Sequence, residues 1–354
     1  MNRTQTTKEW LLTHLRQFPQ AQLADVLKAL HQSAFGCEHL LTDLAQTVAR
    51  IQEEFDRASP VSEAPVQPLD GAFCRIDLSV LQHGLRAQTL GKLFFLSAQP
   101  QENAVRDLEE KLTVLIQLCR DRFLPFDADA AKTEIEKWKA ADYPARRHSA
   151  AFHAAYKPAY RVLKKEFAVL LPLFLHIDKN VRDKRMILAV EGGSASGKST
   201  CADLLNAVYG CTVLHMDDFF LQPHQRTPER FAEPGGNVDR ERFLQEVLLP
   251  LSRNEPIAYR RFDCKTQTIR PPETLIPTPL TVVEGAYCMH PLLSPFYDFS
   301  VFMEIDSETQ KQRILKRNGE TWAQRFFNEW IPMEQIYFEK MNVKERCDLL
   351  LSTH

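Results

Sequence analysis

The sequence predicts two architectures in one chain. Residues 1–180 read as a mainly α-helical domain, and residues 181–354 as an α/β domain whose parallel sheet carries helices on both faces. Three observations predict this. Apolar residues recur at helical spacing through the first half. Strand-like and helix-like segments alternate through the second. At the start of the second half a short apolar run leads straight into Gly192-Gly193-Ser194-Ala195-Ser196-Gly197-Lys198-Ser199.

The composition fits two globular halves. The chain has 354 residues, 44% hydrophobic and 25% charged, enough to give a core to each of about two domains of ~100–200 residues. The formal net charge is −2 and neither half is strongly basic, which argues against nucleic acid as the main partner. No run of ~18 apolar residues occurs, so no membrane span is expected. The opening MNRTQTTKEW has no apolar signal core. The 8 cysteines are scattered without a C-x-x-C pair, so reduced thiols and a cytoplasmic location are expected, with neither a zinc knuckle nor a disulfide framework.

In the first half, Trp10, Leu11, Leu15 and Phe18 form one apolar helical stripe, ended by Pro19. Leu23, Val26, Leu27 and Leu30 form a second. A third helix is expected over 38–57. The stretch 58–71, with Pro60, Pro65 and Pro68, reads as a loop, and 73–78 as a short strand. Further helices are expected over 85–98, 102–122, 130–141 and 161–175. Two stretches hold more polar and aromatic residues than packing requires. One is 31–39, with His31, Gln32, Glu38 and His39. The other is 143–161, with His148, Ser149, His153, Tyr156, Tyr160 and Arg161. Arg75 and Asp77 can join them from the short strand. They read either as caps and core-edge residues of a helical domain or as a pocket for a phosphate or sugar. His31, His39, His148 and His153 also offer metal-ligating side chains.

In the second half, Ile187-Leu188-Ala189-Val190 is long enough for a buried strand and too short for a helix, while 200–208 is helix-compatible. Between them, G-x-x-x-x-G-K-[ST] is a phosphate-binding loop. Gly192, Gly193 and Gly197 let the backbone curl with its N–H groups inward, and the helix starting near Lys198 adds the positive end of its dipole. Lys198 can reach the β- and γ-phosphates and Ser199 can supply a hydroxyl to Mg²⁺. The nucleotide contact is expected to run through Gly192, Gly193, Ser194, Ala195, Ser196, Gly197, Lys198, Ser199 and Thr200.

A second strand, 211–215, ends in Met216-Asp217-Asp218-Phe219-Phe220, and a third, 280–283, ends in Glu284-Gly285. Strands over 301–305 and 347–351 follow. Carboxylates at the C-terminal ends of parallel strands stand where open α/β sheets bind ligands, so Asp217 and Glu284 are expected to flank the same phosphates. Arg313 and Arg317 are four apart on a helix starting near Ser307. They are expected to project from one face towards a lid over the phosphates, with Arg325 able to contribute. The aromatic run Trp322, Phe326, Phe327, Trp330, Tyr337 and Phe338 is expected to pack in the core, with walling a substrate cavity as the alternative.

In chain order, the loop, DDFF, NVD, YRRFD, VVEGAY and the paired arginines resemble the uridine kinase/phosphoribulokinase-like group of small-molecule P-loop kinases. That group also contains one bacterial type of pantothenate kinase. The resemblance covers about residues 185–351. It implies ATP and Mg²⁺ as cofactors and phosphoryl transfer to a hydroxyl of a small metabolite, a nucleoside first. It implies that Asp217 takes the acceptor proton and lies near Mg²⁺, with Asp218 able to exchange places with it. Glu284 would manage the metal together with Ser199, and Asp239, Tyr259, Arg261 and Asp263 would line the acceptor pocket beside Lys265. Lys198, Asp217, Arg313 and Arg317 form the expected catalytic set. The sequence departs from uridine kinases in having no histidine in 258–265, where those enzymes recognise the base. Arg261 and Lys265 equally suit an anionic acceptor such as pantothenate or a sugar phosphate. The rival readings are an ATP-dependent switch whose helical half binds a partner, and a bifunctional protein whose first half is a separate catalytic or sensing domain. An oligomer is compatible with each.

Overall fold

A computed structural model describes residues 3–37, 43–58, 62–181 and 185–353. The chain divides into two compact units, Met1–Leu175 and His176–His354.

The first unit contains helices α1 (Arg3–Gln17), α2 (Leu23–Phe35), α3 (Leu44–Ala58), α4 (Ala87–Ser97), α5 (Ala104–Arg120), α6 (Ala128–Ala140), α7 (Ala150–Tyr156) and α8 (Lys165–Val169). It also holds an antiparallel sheet ordered β1 (Val66–Pro68), β2 (Phe73–Asp77), β3 (Tyr160–Lys164). The apolar stripes form its core: Leu11, Val26, Leu27 and Leu30 are buried together with Leu108, Leu112 and Leu115 of α5. Each such side chain stabilises the unit by about 1.5–3 kcal/mol.

Three sequence expectations change here. The segment 161–175 is not one helix. Its first residues form β3, followed by α8 and then α9 (Leu171–Asn180), which runs across the division between units. Val162 and Leu163 suit a strand, and pairing with the buried β2 (Arg75 opposite Val162, Cys74 opposite Leu163) outweighs local helix propensity. The stretch expected as a loop contains β1, whose Pro68 lies on an edge strand, where a missing N–H breaks no ladder bond. Helix α7 lies in a stretch for which the sequence predicts no element, although Ser149 caps it by accepting from Phe152 N–H. Glu38 and His39, with the start of the helix expected over 38–57, lie outside the described residues.

In the second unit, β4 (Met186–Gly192) leads through the loop into α10 (Lys198–Tyr209) and β5 (Thr212–His215). A long excursion follows: α11 (Pro228–Ala232), α12 (Arg240–Phe243), α13 (Leu249–Ser252), then β6 (Ile257–Tyr259) pairing with β9 (Glu273–Leu275), and β7 (Phe262–Asp263) pairing with β8 (Thr268–Ile269). The chain returns as β10 (Leu280–Glu284), β11 (Phe299–Glu304), α14 (Ser307–Arg325), α15 (Ile331–Lys340), α16 (Val343–Arg346) and β12 (Leu349–Ser352). The main sheet is parallel throughout, with five strands in the order β12-β11-β4-β10-β5. Strands β4 and β10 have neighbours on both sides and helices over the sheet, which explains their unbroken apolar runs. The register sets Glu284 beside both Val190 and His215, so the C-terminal ends of β4, β10 and β5 are level. No helix of the described residues is long and apolar enough to cross a membrane.

Candidate active site

The phosphate-binding loop is held from outside by its carbonyls. Gly193 O accepts from Ser196 N and from Lys198 Nζ (2.9 Å). Ser194 O accepts from Gln310 Nε2 (2.8 Å), Ala195 O from Arg313 Nη1 (3.2 Å) and Ser196 O from Thr353 Oγ1 (3.0 Å). With the carbonyls of Ser194, Ala195 and Ser196 taken up by residues outside the loop, and the first-turn N–H groups of α10 lacking intrahelical acceptors, the concave side is donor-rich. Two glycines are required. Gly192 has φ 149°, and a Cβ there would lie 2.6 Å from Met303 O and 2.8 Å from Ser196 Oγ. Gly197 has φ 98°, the left-handed turn from which α10 starts.

Two buried acids brace this loop. Glu191, the last residue before the glycines, accepts from Gly192 N (2.9 Å), Tyr287 N (3.2 Å), Met289 N (3.0 Å) and Tyr337 Oη (3.0 Å). Burial pushes its carboxyl up to about 7, against these donors and Lys198. Glu334 on α15 accepts from Ser194 N (2.8 Å) and Ser194 Oγ (2.6 Å). Burial raises its carboxyl too, opposed by Lys198 and Ser194.

At the strand ends, Ser199 Oγ donates to Glu284 at 3.2–3.3 Å, and Glu284 Oε1 lies 2.6 Å from His215 Nδ1. Asp217 reaches solvent, while protein packed around its flanks raises its carboxyl. Lys198 and His215 oppose that rise, and Glu284 and Asp218 add to it. Asp218 points elsewhere, with Oδ2 3.6 Å from Arg261 Nε. Asp217 is therefore the aspartate grouped electrostatically with Lys198 and Glu284. The oxygen set of Ser199, Glu284 and Asp217 suits Mg²⁺, which takes one or two carboxylates beside phosphates and water rather than a full protein cage.

The residues expected to line the acceptor pocket divide. Arg261 is partly exposed, 3.3 Å from Glu273 Oε2 and donating to Tyr259 Oη at 2.9 Å. Tyr259 itself is buried and stacks on Phe219. Asp239 caps α12 through Arg242 N (3.1 Å) and pairs with Arg242 Nε (3.2 Å) and Gln225 Nε2 (3.0 Å), so its oxygens are occupied inside the fold. Asp263 shapes the β7–β8 turn through Lys265 N (2.8 Å) and Arg270 Nη2 (2.7 Å).

The two arginines of α14 part company. Arg313 holds the carbonyls of Ala195 and Thr353. Arg317 is exposed, bonded to Asn318 Oδ1 (3.0 Å), with its guanidinium 5.5 Å from the Phe326 ring centroid. Gly319, at φ 72°, breaks α14 just beyond them. Arg325 pairs with Glu329 at 3.3 Å. The aromatic run is mixed: Tyr337 is buried against Glu191 and Tyr287, but Trp322 is exposed.

In the first unit, His148 bonds to Asp25 and Tyr160, His31 stacks on Phe35, and Asp77 caps the turn at Ser79. Among the described residues no group of three or more His, Cys, Asp or Glu side chains is placed to hold a metal ion, so the histidine metal site is not formed by His31, His148 and His153.

No protein-family model matches the chain. It is 28% identical over 178 residues to a pantothenate kinase of Streptococcus suis, a match covering 45% of this chain and 56% of that one. It is 27% identical over 165 residues to the pantothenate kinase of Streptococcus mutans, covering 40% and 52%. The chain thus spans about half the length of the curated relatives it matches. Among solved structures, a possible uridine kinase from Bacillus stearothermophilus overlaps 53% of this chain and 99% of its own, at 21% identity and a TM-score of 0.43.

Proposed function

We propose that the second unit transfers the terminal phosphoryl group of ATP to a hydroxyl of a small metabolite. The observation that carries this reading is the level placement of Lys198 and Ser199, Glu284, and Asp217 beyond the ends of three neighbouring strands, β4, β10 and β5. The loop N–H groups and Lys198 bind the phosphates. Mg²⁺, held by Ser199 and Glu284 with Asp217 nearby, supplies charge neutralisation on the phosphate oxygens. Asp217 orients the acceptor hydroxyl and takes its proton. Arg313 is a positioning residue acting through the Ala195 carbonyl, and Arg317, with its exposed guanidinium, is the lid cation.

For the acceptor, the motif order favours a nucleoside. The partly exposed Arg261 and the identity to pantothenate kinases favour a second reading, the carboxylate-bearing pantothenate. The test is phosphoryl transfer by the full chain from ATP with Mg²⁺ to nucleosides, pantothenate and sugar phosphates, with Lys198→Ala as control. Transfer to one class and its loss in Lys198→Ala supports the proposal. ATP binding without transfer to any acceptor sinks it in favour of a switch.

A further inference from the structure

We propose that the first unit carries a second site, separate from the phosphate-binding loop, that binds a small organic oxyanion: a carboxylate or a phosphate. Arg75, on the middle strand β2, is 2% exposed, yet no carboxylate of the described residues pairs with it. Its Nε and Nη2 both donate to one neutral oxygen, Gln32 Oε1, at 2.9 and 2.7 Å. Nη1 reaches Gln67 Oε1 only at 3.4 Å, and the guanidinium lies 4.6 Å from the Tyr160 ring centroid. Burying a cation without a counter-ion is costly. Other arginines of this unit avoid that cost: Arg161 pairs with Glu54 at 2.7 Å and Arg146 with Glu134 at 2.8 Å.

The groups around Arg75 are also short of acceptors. Lys28 Nζ donates to a carbonyl, that of Arg146, at 2.8 Å. His14, 3% exposed, has a buried Nε2 with no partner among the described residues, and burial beside Arg75 keeps its ring neutral. Gln67 Nε2, across the sheet register from Arg75, is likewise buried without a partner among the described residues. The acid within electrostatic range is Asp25, and it is already engaged. Its Oδ1 accepts from Ser149 N (2.9 Å) and faces His148 Nδ1 (2.9 Å), while Oδ2 accepts from Ser149 Oγ (2.7 Å) and Gln22 N (2.9 Å). With Nδ1 protonated towards Asp25, His148 turns the Nε2 lone pair to Tyr160 Oη at 2.7 Å and orients that phenol.

The cluster is therefore cationic and rich in donors, and Asp25, the acid near it among the described residues, is engaged. Lys28, Gln67 and Tyr160 are each partly exposed and open it to solvent. A carboxylate or phosphate supplies what is missing, because its paired oxygens match a guanidinium fork and a neighbouring ammonium.

The test uses the full chain carrying Lys198→Ala, so that the loop contributes least. Thermal unfolding is followed against inorganic phosphate, acetate and succinate, with chloride at equal ionic strength as baseline. We expect a saturable rise of the midpoint with phosphate or with the carboxylates, and the stronger arm assigns the class. Arg75→Met should remove the response. Lys28→Ala, at a partly exposed position, should raise the concentration needed about tenfold, and decides the matter if Arg75→Met does not fold. No response to any of the three anions, or a response unchanged by Lys28→Ala, overturns the proposal.

Discussion

In the phosphate-binding loop, one contiguous run supplies the binding groups and its neighbours hold it by the backbone. Around Arg75, side chains from α1, α2, β1, β2, β3 and the segment before α7 supply them, and Arg75, Asp25, His148 and Tyr160 are held by other side chains. The difference predicts how each responds to damage. A side chain removed from the concave face of the loop takes away chemistry but leaves the anchors on Ser194 O, Ala195 O and Ser196 O in place. A side chain removed from the network leaves buried partners unsatisfied, so the fold itself weakens.

The largest expected effect tests the first half of that contrast. Lys198→Ala should lower phosphoryl transfer roughly 10²–10³-fold while the circular dichroism spectrum and unfolding midpoint stay near wild type. A large fall in the midpoint would show that Lys198 holds the loop together through Gly193 O and is not mainly a ligand for phosphate.

The second half is tested by Asp25→Ala. It strips acceptors from Gln22 N, Ser149 N, Ser149 Oγ and His148 at once, so it should cost about 3 kcal/mol of stability. Denaturant unfolding reads this directly. A loss under about 1 kcal/mol would mean that the network re-forms around water, and the two sites would then differ less than their geometry says.

The contrast also governs what the sequence discloses. The strand, loop and helix around Lys198 were legible because glycine spacing and an apolar run are local signals. The parallel sheet followed from alternation over the same half, and Asp217 and Glu284 were visible as acids closing apolar runs. Their partners were not. Glu191 sits inside the run Met186–Gly192 as a lone acid, and its donors come from Tyr287, Met289 and Tyr337. Its one local signal was a carboxylate in a strand otherwise fit for full burial. Glu334, Gln310 and Thr353 brace the loop from far along the chain and lie in no motif. In the first unit, Asp25 and His148 are brought together by folding, and no spacing announces that. Asp239 shows the converse: it fits a motif, yet its oxygens are spent on capping α12 and pairing with Arg242.

A smaller effect separates binding groups from their supports. Arg313→Ala removes a clamp on Ala195 O without touching the donor-rich face, so it should raise the KM for ATP several-fold with kcat nearly unchanged, about 1 kcal/mol. A fall in kcat with KM unchanged would instead make Arg313 a direct partner of the transferring group.

The smallest effect concerns His215, where the second unit also depends on a side-chain pair. The hydrogen bond to Glu284 raises the His215 pKa, and burial opposes it. The folded chain therefore holds this proton to a higher pH than the unfolded chain, whose histidine titrates near 6.5. The stability gained is fully present below that value and lost as pH rises through the folded value. The side chain is 39% exposed, so solvent screening limits the gain to about 0.5 kcal/mol. The wild-type unfolding midpoint should thus decline slightly from about pH 6.5 upwards, and His215→Gln should flatten that part of the curve. If the decline persists in His215→Gln, another group titrates there. If the wild-type curve is already flat, the contact with Glu284 is a neutral hydrogen bond, and the strand-end site relies on Lys198 alone for positive charge.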